Sequence, residues 1–85
     1  MPYRLTITRE AVKSLDAIQK RDRVRIYERL DQLAVDPFGM TGVKKLKGQD
    51  NYRLRVGDYR VLYLIEDSDL LILVVEVGHR REVYR

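Results

Sequence analysis

The order of apolar and polar positions divides the chain into a helical first half and a strand-rich second half. A short alternating segment, residues Tyr3–Ile7, predicts the first strand. Two helices are predicted next, from about Arg9 to Ile18 and from about Arg21 to Val35, with Thr8 as the N-cap of the first. Asp36 ends the second helix, because the residue before a proline is disfavoured in helical conformation. The apolar positions at helical spacing are Ala11, Leu15 and Ile18 in the first helix, and Ile26, Tyr27, Leu30, Leu33 and Ala34 in the second.

The second half predicts a glycine-containing loop followed by three strands. The loop covers residues 37–50, and the strands cover Tyr52–Val56, Tyr59–Ile65 and Leu70–Val77. The predicted order is therefore β-α-α-β-β-β in a single domain of residues 1–85. This order is typical of an α+β fold, in which a helical hairpin packs on one face of a mainly antiparallel four-stranded sheet.

The Gly57-Asp58 pair predicts a two-residue turn of type II′, which favours glycine at its first central position. This turn fixes the register of the two strands that it joins, and it sets Arg55 opposite Arg60. Strand alternation then brings Arg53 to the same face as these two arginines. The opposite face is apolar and is predicted to pack against the helices through Tyr52, Leu54, Val56, Tyr59, Val61, Tyr63 and Ile65.

The register of the last strand depends on the loop around Asp67-Ser68-Asp69, which contains no glycine. We predict a three-residue loop that pairs Glu66 with Leu70, because a slip by one residue would turn the strand's apolar residues to solvent. This register sets Glu76 opposite Arg60. It places Leu71, Leu73, Val75 and Val77 on the core face.

Charge is concentrated in the middle of the chain, where a polyanion would be attracted. The whole chain of 85 residues carries a net charge of +4, and residues 41–63 alone carry a net charge of +4. This segment holds the lysine cluster Lys44, Lys45 and Lys47. The chain has no cysteine, a single histidine (His79) and no apolar run long enough to span a membrane, so we expect no metal or other cofactor, no membrane contact and a cytoplasmic location.

The arginine-rich sheet face has two interpretations. Like charges directly across a strand pair are destabilising, so the face is either a solvated surface or a surface that binds an anion between the arginines. Guanidinium groups match the geometry of phosphate oxygens, which favours the second interpretation.

Two segments together resemble the RelE/ParE superfamily of bacterial and archaeal toxins. They are residues 46–63, which include Leu46-Lys47-Gly48 and the hairpin, and the C-terminal run Val77-Gly78-His79-Arg80-Arg81-Glu82-Val83-Tyr84. The resemblance implies a ribosome-dependent mRNA endonuclease that cleaves the codon in the ribosomal A site. The 2′-hydroxyl of the RNA would attack the adjacent phosphate and leave a 2′,3′-cyclic phosphate and a 5′-hydroxyl.

The resemblance also implies roles for individual residues. Arg55, Arg60, Arg80 and Tyr84 are the implied catalytic residues, with Arg80 acting on the leaving oxygen and Tyr84 orienting the nucleotide. Lys44, Lys45, Lys47, Arg53 and Arg81 are the predicted RNA-binding residues, the three lysines because of the charge concentrated in this segment. Arginine stands at positions 53 and 55, where such enzymes usually carry lysine, and it is a poor general base. Three candidates for the proton acceptor therefore remain: His79, Glu76 and a ribosomal group.

The partners implied by the resemblance are a cognate antitoxin, the ribosome and mRNA, with the toxin and antitoxin forming a hetero-oligomer. The basic column Arg21, Arg25 and Arg29 on the second helix is interpreted either as a solvated face balanced by nearby acids or as a contact with ribosomal RNA. The alternative hypothesis is a toxin of the same fold that inhibits DNA gyrase without catalysis. A third hypothesis is a general RNA-binding module. The arginine face together with Arg80 and Tyr84 favours the nuclease.

Overall fold

The structure, a computed structural model, describes residues 3–46 and 51–79. Two helices pack on one face of a five-stranded sheet, and the core lies between these two layers. The elements in chain order are β1 (Arg4–Ile7), α1 (Arg9–Asp16), α2 (Lys20–Val35), β2 (Val43–Lys45), β3 (Asn51–Val56), β4 (Tyr59–Glu66) and β5 (Leu71–His79).

The sheet order is β1-β5-β4-β3-β2, with β1 parallel to β5 and the other neighbours antiparallel. The predicted α+β class is confirmed, but the sheet has five strands rather than four. The additional strand is β2, which lies inside the segment predicted as a loop. Its three residues are too few to show strand alternation, and pairing with β3 is what orders them.

The two helices follow the predicted pattern closely. The Thr8 hydroxyl oxygen accepts a hydrogen bond from the backbone N–H of Ala11 at 3.2 Å, which confirms the predicted N-cap. Tyr27 is the exception in the predicted core stripes, because it is 36% exposed on α2. The buried apolar residues of the described chain are Ala11, Leu15, Ile26, Leu30, Leu33, Leu54, Val56, Val61, Tyr63, Ile72, Val74 and Val77.

The predicted register of β5 is wrong. Glu66 pairs with Leu71 rather than Leu70, because a short 3₁₀ turn at Asp67–Asp69 ends in Leu70 with a left-handed φ of 50°. Farther along, Tyr63 pairs with Val74 while Leu62 pairs with Glu76, so Val75 is the extra residue of a bulge.

Two consequences of this register correct the sequence analysis. Ile72 and Val74 face the core with Val77, whereas Leu71, Leu73 and Val75, which were expected in the core, are only half-buried. Glu76 lies opposite Leu62, and the residue opposite Arg60 is Gly78.

Candidate nucleic-acid interface

The hairpin between β3 and β4 has the predicted turn and register. Gly57 has a φ of 58°, and Asp58 is not among the described residues with positive φ, which is the combination of a type II′ turn. Arg55 lies directly opposite Arg60. The helix-facing residues of this hairpin are buried or packed against the core, so both arginines lie on the face away from the helices.

Two further basic residues lie on the same face. Arg53 is two residues before Arg55 on β3, and Lys44 of β2 pairs directly with Arg53. Lys45 pairs with Tyr52, so its alternation places it on the helix side of the sheet. We call the set Lys44, Arg53, Arg55 and Arg60 the basic face. It extends over three adjacent strands, and Lys44 joins it only because the unpredicted strand β2 forms.

The arginines of the basic face differ in exposure. Arg55 is exposed and Arg53 is half-buried, but Arg60 is only 5% exposed. The Nη1 of Arg60 donates a hydrogen bond to the backbone carbonyl of Tyr59 at 3.2 Å. Arginine stays protonated in proteins, so a fixed positive charge is held within the sheet surface at the position opposite the exposed Arg55.

The two candidate proton acceptors of this chain lie on opposite faces of the sheet. His79 pairs with Tyr59, and their rings meet edge to face at a centroid distance of 5.8 Å on the helix side. His79 is therefore separated from the basic face by the sheet itself. Glu76 is exposed and lies on the outer face, in the cross-strand row that runs from Lys44 through Arg53 and Leu62.

Four predicted site residues, Lys47, Arg80, Arg81 and Tyr84, lie outside the described residues. Their roles stay predictions. Within residues 3–46 and 51–79, no group of three or more histidine, cysteine or acidic side chains is arranged to hold a metal ion. In the same part of the chain, no helix combines the length and apolar character needed to cross a membrane.

A cleft between α2 and the hairpin turn contains arginines to which the sequence analysis gave no firm role. Arg25 and Arg29 line it together with Arg55 and Gly57. The i, i+4, i+8 spacing of Arg21, Arg25 and Arg29 was the signal for this surface. The sequence alone did not reveal that α2 lies beside the turn.

The model of the ParE toxin of the type II toxin–antitoxin system parDE matches residues 5–84 of the chain. The chain belongs to this toxin family. The match includes both helices, the whole sheet and the basic face, so family membership rests on the domain and not on one motif.

Members of the family with RelE names are similar to this chain over nearly its whole length. Toxin RelG of Mycobacterium tuberculosis is 27% identical, and the alignment covers 100% of this chain and 99% of RelG. A chain of the archaeal RelE–RelB complex from Pyrococcus horikoshii OT3 is 35% identical with a TM-score of 0.84, covering 94% of this chain and 97% of that one. The intact Escherichia coli RelBE toxin–antitoxin complex contains a chain that is 26% identical with a TM-score of 0.76, covering 91% and 95%. The resemblance seen in the sequence is confirmed: this ParE-family chain is a RelE-type toxin of a toxin–antitoxin pair.

Proposed function

We propose that this toxin is a ribosome-dependent mRNA endonuclease that cleaves the codon in the A site. In the proposed reaction, the 2′-hydroxyl oxygen of one nucleotide attacks the adjacent phosphorus. The bond from phosphorus to the 5′-oxygen of the next nucleotide breaks. The products are a 2′,3′-cyclic phosphate and a 5′-hydroxyl, so the proton lost from the 2′-hydroxyl must be accepted and the leaving oxygen must be protonated.

The observation that carries the proposal is the direct pairing of Arg55 with Arg60, with Arg53 and Lys44 beside them on the same face. A fold that needs only stability gains nothing from like charges in facing positions. A phosphate bound on this face would offset the repulsion, and it would receive charge-assisted hydrogen bonds from the exposed guanidinium of Arg55. The attacked phosphate gains negative charge in the transition state, and fixed positive groups stabilise that charge.

The basic residues differ in solvent exposure, and this difference indicates different roles. Arg55 and Lys44 are exposed and can contact phosphate oxygens directly. Arg60 is 5% exposed and acts through the charge that it holds within the sheet surface. Arg53 is half-buried, so it can contact a phosphate oxygen and also add to the positive charge of the sheet surface. Lys47 and Arg81 are the proposed contacts to neighbouring phosphates of the strand, whereas Lys45 lies on the helix side of the sheet, away from the basic face.

Glu76 is our candidate for the proton acceptor among this chain's own residues. Its carboxylate is on the outer face with Arg53, whereas His79 lies on the helix side. Arginine is a poor base, so the basic face cannot take the proton from the 2′-hydroxyl itself. Arg80 is the proposed donor to the leaving 5′-oxygen, and Tyr84 the proposed stacking partner of the base.

Glu76→Gln tests the assignment, because glutamine keeps the size of the side chain and removes the basic oxygen. We expect the single-turnover cleavage rate on ribosome-bound mRNA to fall about 10²-fold or more, in the range of positioned general bases. Glu66→Gln, on the same face at the far end of β4, is the matched control and should cleave normally. A normal rate for Glu76→Gln would assign proton acceptance to a ribosomal group.

The proposed protein partner is a cognate antitoxin that forms a hetero-oligomer with the toxin in the cytoplasm. Support comes from the solved relatives, since the Pyrococcus horikoshii and Escherichia coli structures are toxin–antitoxin complexes. An acidic antitoxin segment that folds on binding would neutralise the basic face of this chain. Co-expression with the neighbouring reading frame, followed by purification of the complex, tests this pairing.

A second candidate function is non-catalytic inhibition of DNA gyrase, favoured by the ParE description of the matching family. One experiment separates the two candidates. The purified toxin is added to a translating extract, and mRNA ends are mapped while gyrase supercoiling is assayed in parallel. Codon-spaced mRNA breaks with normal supercoiling support the nuclease, and intact mRNA with blocked supercoiling overturns it.

A further inference from the structure

The sheet face away from the helices carries a second row of side chains beside the basic face. The backbone N–H of Leu46 donates to the carbonyl of Asn51 at 2.9 Å, so Leu46 lies opposite Asn51 at the end of β2. Asn51 pairs with Leu64 of β4, and Leu64 pairs with Leu73 of β5. All four lie on the outer face, because the residues beside them in β3, β4 and β5 pack in the core. We call Leu46, Asn51, Leu64 and Leu73 the neutral row.

The neutral row lies next to the basic face. Asn51 is two residues before Arg53 on β3, and Leu64 is two residues after Leu62 on β4. Two residues of a strand span roughly 7 Å, which is the distance between the two rows. A nucleotide whose phosphate contacts Arg53 therefore has its base within reach of the neutral row.

The neutral row combines an apolar floor with one hydrogen-bonding side chain. Its three leucines are half-buried although both helices pack on the opposite face, so part of each leucine surface is open to solvent. The side-chain amide of Asn51 is also half-buried, and it forms no hydrogen bond within residues 3–46 and 51–79. A nucleobase matches such a surface, because its flat face packs on other groups while its edge carries donors and acceptors.

We propose that the neutral row is a base-binding site that selects an adenine of the A-site codon beside the phosphate held by the basic face. This inference rests on the proposed endonuclease function and deepens it, because it assigns a codon preference. The amide of Asn51 offers a donor and an acceptor side by side, and adenine presents the matching acceptor N7 and amino group N6. The same edge of guanine carries two acceptors, so guanine loses one of the two bonds.

The position of Asn51 favours a base over a protein segment as the occupant. Asn51 lies between Leu46 and Leu64 in the row, so its amide is surrounded by apolar side chains. A protein helix or strand that docked its apolar residues here would bury the amide without a partner, which is unfavourable. A base covers the leucines with its face and pairs the amide with its edge.

The test compares the codon preferences of three variants. Asn51→Ala removes the amide, and Asn51→Asp replaces its donor with a second acceptor. Gln19→Ala is the control, because Gln19 is an exposed amide at the start of α2 whose side chain makes no capping hydrogen bond. Each full-length protein acts on ribosomes programmed with A-site codons that differ at one nucleotide. Single-turnover cleavage rates are measured by quench-flow, and circular dichroism checks that each variant is folded.

We expect the wild type and Gln19→Ala to cleave codons with adenine at the selected position roughly 10-fold or more faster than the other codons. This is the discrimination that a bidentate amide contact provides. Asn51→Ala should lose the preference. Asn51→Asp should favour cytosine instead, because the cytosine amino group donates to a carboxylate.

An unchanged codon profile in Asn51→Ala would overturn the proposal, as would a wild type without a preference for adenine. If Asn51→Ala keeps the profile and binds the antitoxin more weakly, the neutral row belongs to the antitoxin interface instead. A wild type that cleaves no codon would refute the proposed function separately. In that event, anisotropy with 2′-fluoro hexanucleotides of adenine and of uracil still decides on the base site. The wild type must bind the adenine strand more tightly, and Asn51→Ala must lose that difference.

Discussion

Arg55 and Arg60 show what can be predicted at the scale of single residues. Their facing positions follow from Gly57 alone, because a two-residue turn leaves one register for the strands around it. Their different exposure could not be predicted, since it depends on the next strand. Arg60 is 5% exposed and lies opposite Gly78, where the predicted register had placed Glu76. The register of β5, which sets that neighbour, was the part of the sheet predicted wrongly.

Two tail residues test the catalytic proposal individually. If Arg80 acts on charge that develops in the transition state, Arg80→Ala should lower the single-turnover cleavage rate about 10²- to 10³-fold with little change in ribosome affinity. Tyr84→Phe should cleave at nearly the normal rate, because a phenyl ring still stacks on a base. Quench-flow cleavage and ribosome pelleting measure the two quantities. A normal cleavage rate for Arg80→Ala would show that Arg80 is not part of the active site.

Tyr63 gives a prediction about stability. Its hydroxyl is buried and has no hydrogen-bond partner among the described residues, while its ring stacks on Tyr52 at a centroid distance of 5.7 Å. Tyr63→Phe keeps the stack and removes the unpaired hydroxyl, so the free energy of unfolding should rise by about 1 kcal/mol. Urea denaturation at neutral pH measures the change. A loss of more than about 1 kcal/mol would indicate that the hydroxyl has a partner after all.

The same tyrosine gives the protein a predicted pH dependence. Burial, and to a lesser extent the neighbouring Tyr52, raise the pKa of Tyr63 above its ordinary value. The folded state therefore holds this proton more tightly than the unfolded state, in which the pKa is about 10. Its contribution to stability is complete below the unfolded pKa and is lost as the pH rises above it. The alkaline fall in the free energy of unfolding should be shallower in Tyr63→Phe.

At the scale of elements, helical periodicity and turn residues predicted the helices and the hairpin correctly. The pairing between strands that are distant in sequence was not predicted correctly. Both helices and the β3–β4 hairpin carry local signals and lie where they were predicted. Strand β2 and the bulge at Val75 carry none, because each is determined by the strand beside it. The position of Glu76 relative to the arginines therefore came from the structure.

The turn at Gly57 provides the test at this scale. Its φ of 58° disfavours residues with a side chain, and an added Cβ would meet only Arg25 Nη1 at an ordinary 3.9 Å, so the cost is conformational. Gly57→Ala should lower the free energy of unfolding by roughly 1–3 kcal/mol. Asp58→Ala, at the next turn position, should change it by less than about 0.5 kcal/mol. Equal effects in urea denaturation would contradict a type II′ turn.

At the scale of the whole molecule, the two faces of the sheet have different roles. The helices cover one face and bury the apolar residues of every hairpin strand there. The other face holds the basic face, with Lys44 on β2, Arg53 and Arg55 on β3 and Arg60 on β4. The sequence predicted this separation because strand alternation and the apolar stripes of the helices agree. The roles proposed for the C-terminal residues have no periodic signal in the sequence and rest on the resemblance.

Cleavage in the A site is proposed to depend on the basic face, which promotes attack by the RNA's own 2′-hydroxyl. Purified ribosomes with one defined A-site codon are mixed with the wild type, with Arg55→Ala or with the control Lys13→Ala, and the mRNA ends are characterised. We expect a break within that codon, a 2′,3′-cyclic phosphate on one fragment, a 5′-hydroxyl on the other, and a rate at least about 10²-fold lower for Arg55→Ala alone. Intact mRNA with the wild type, or fragments that carry a 5′-phosphate, would contradict it.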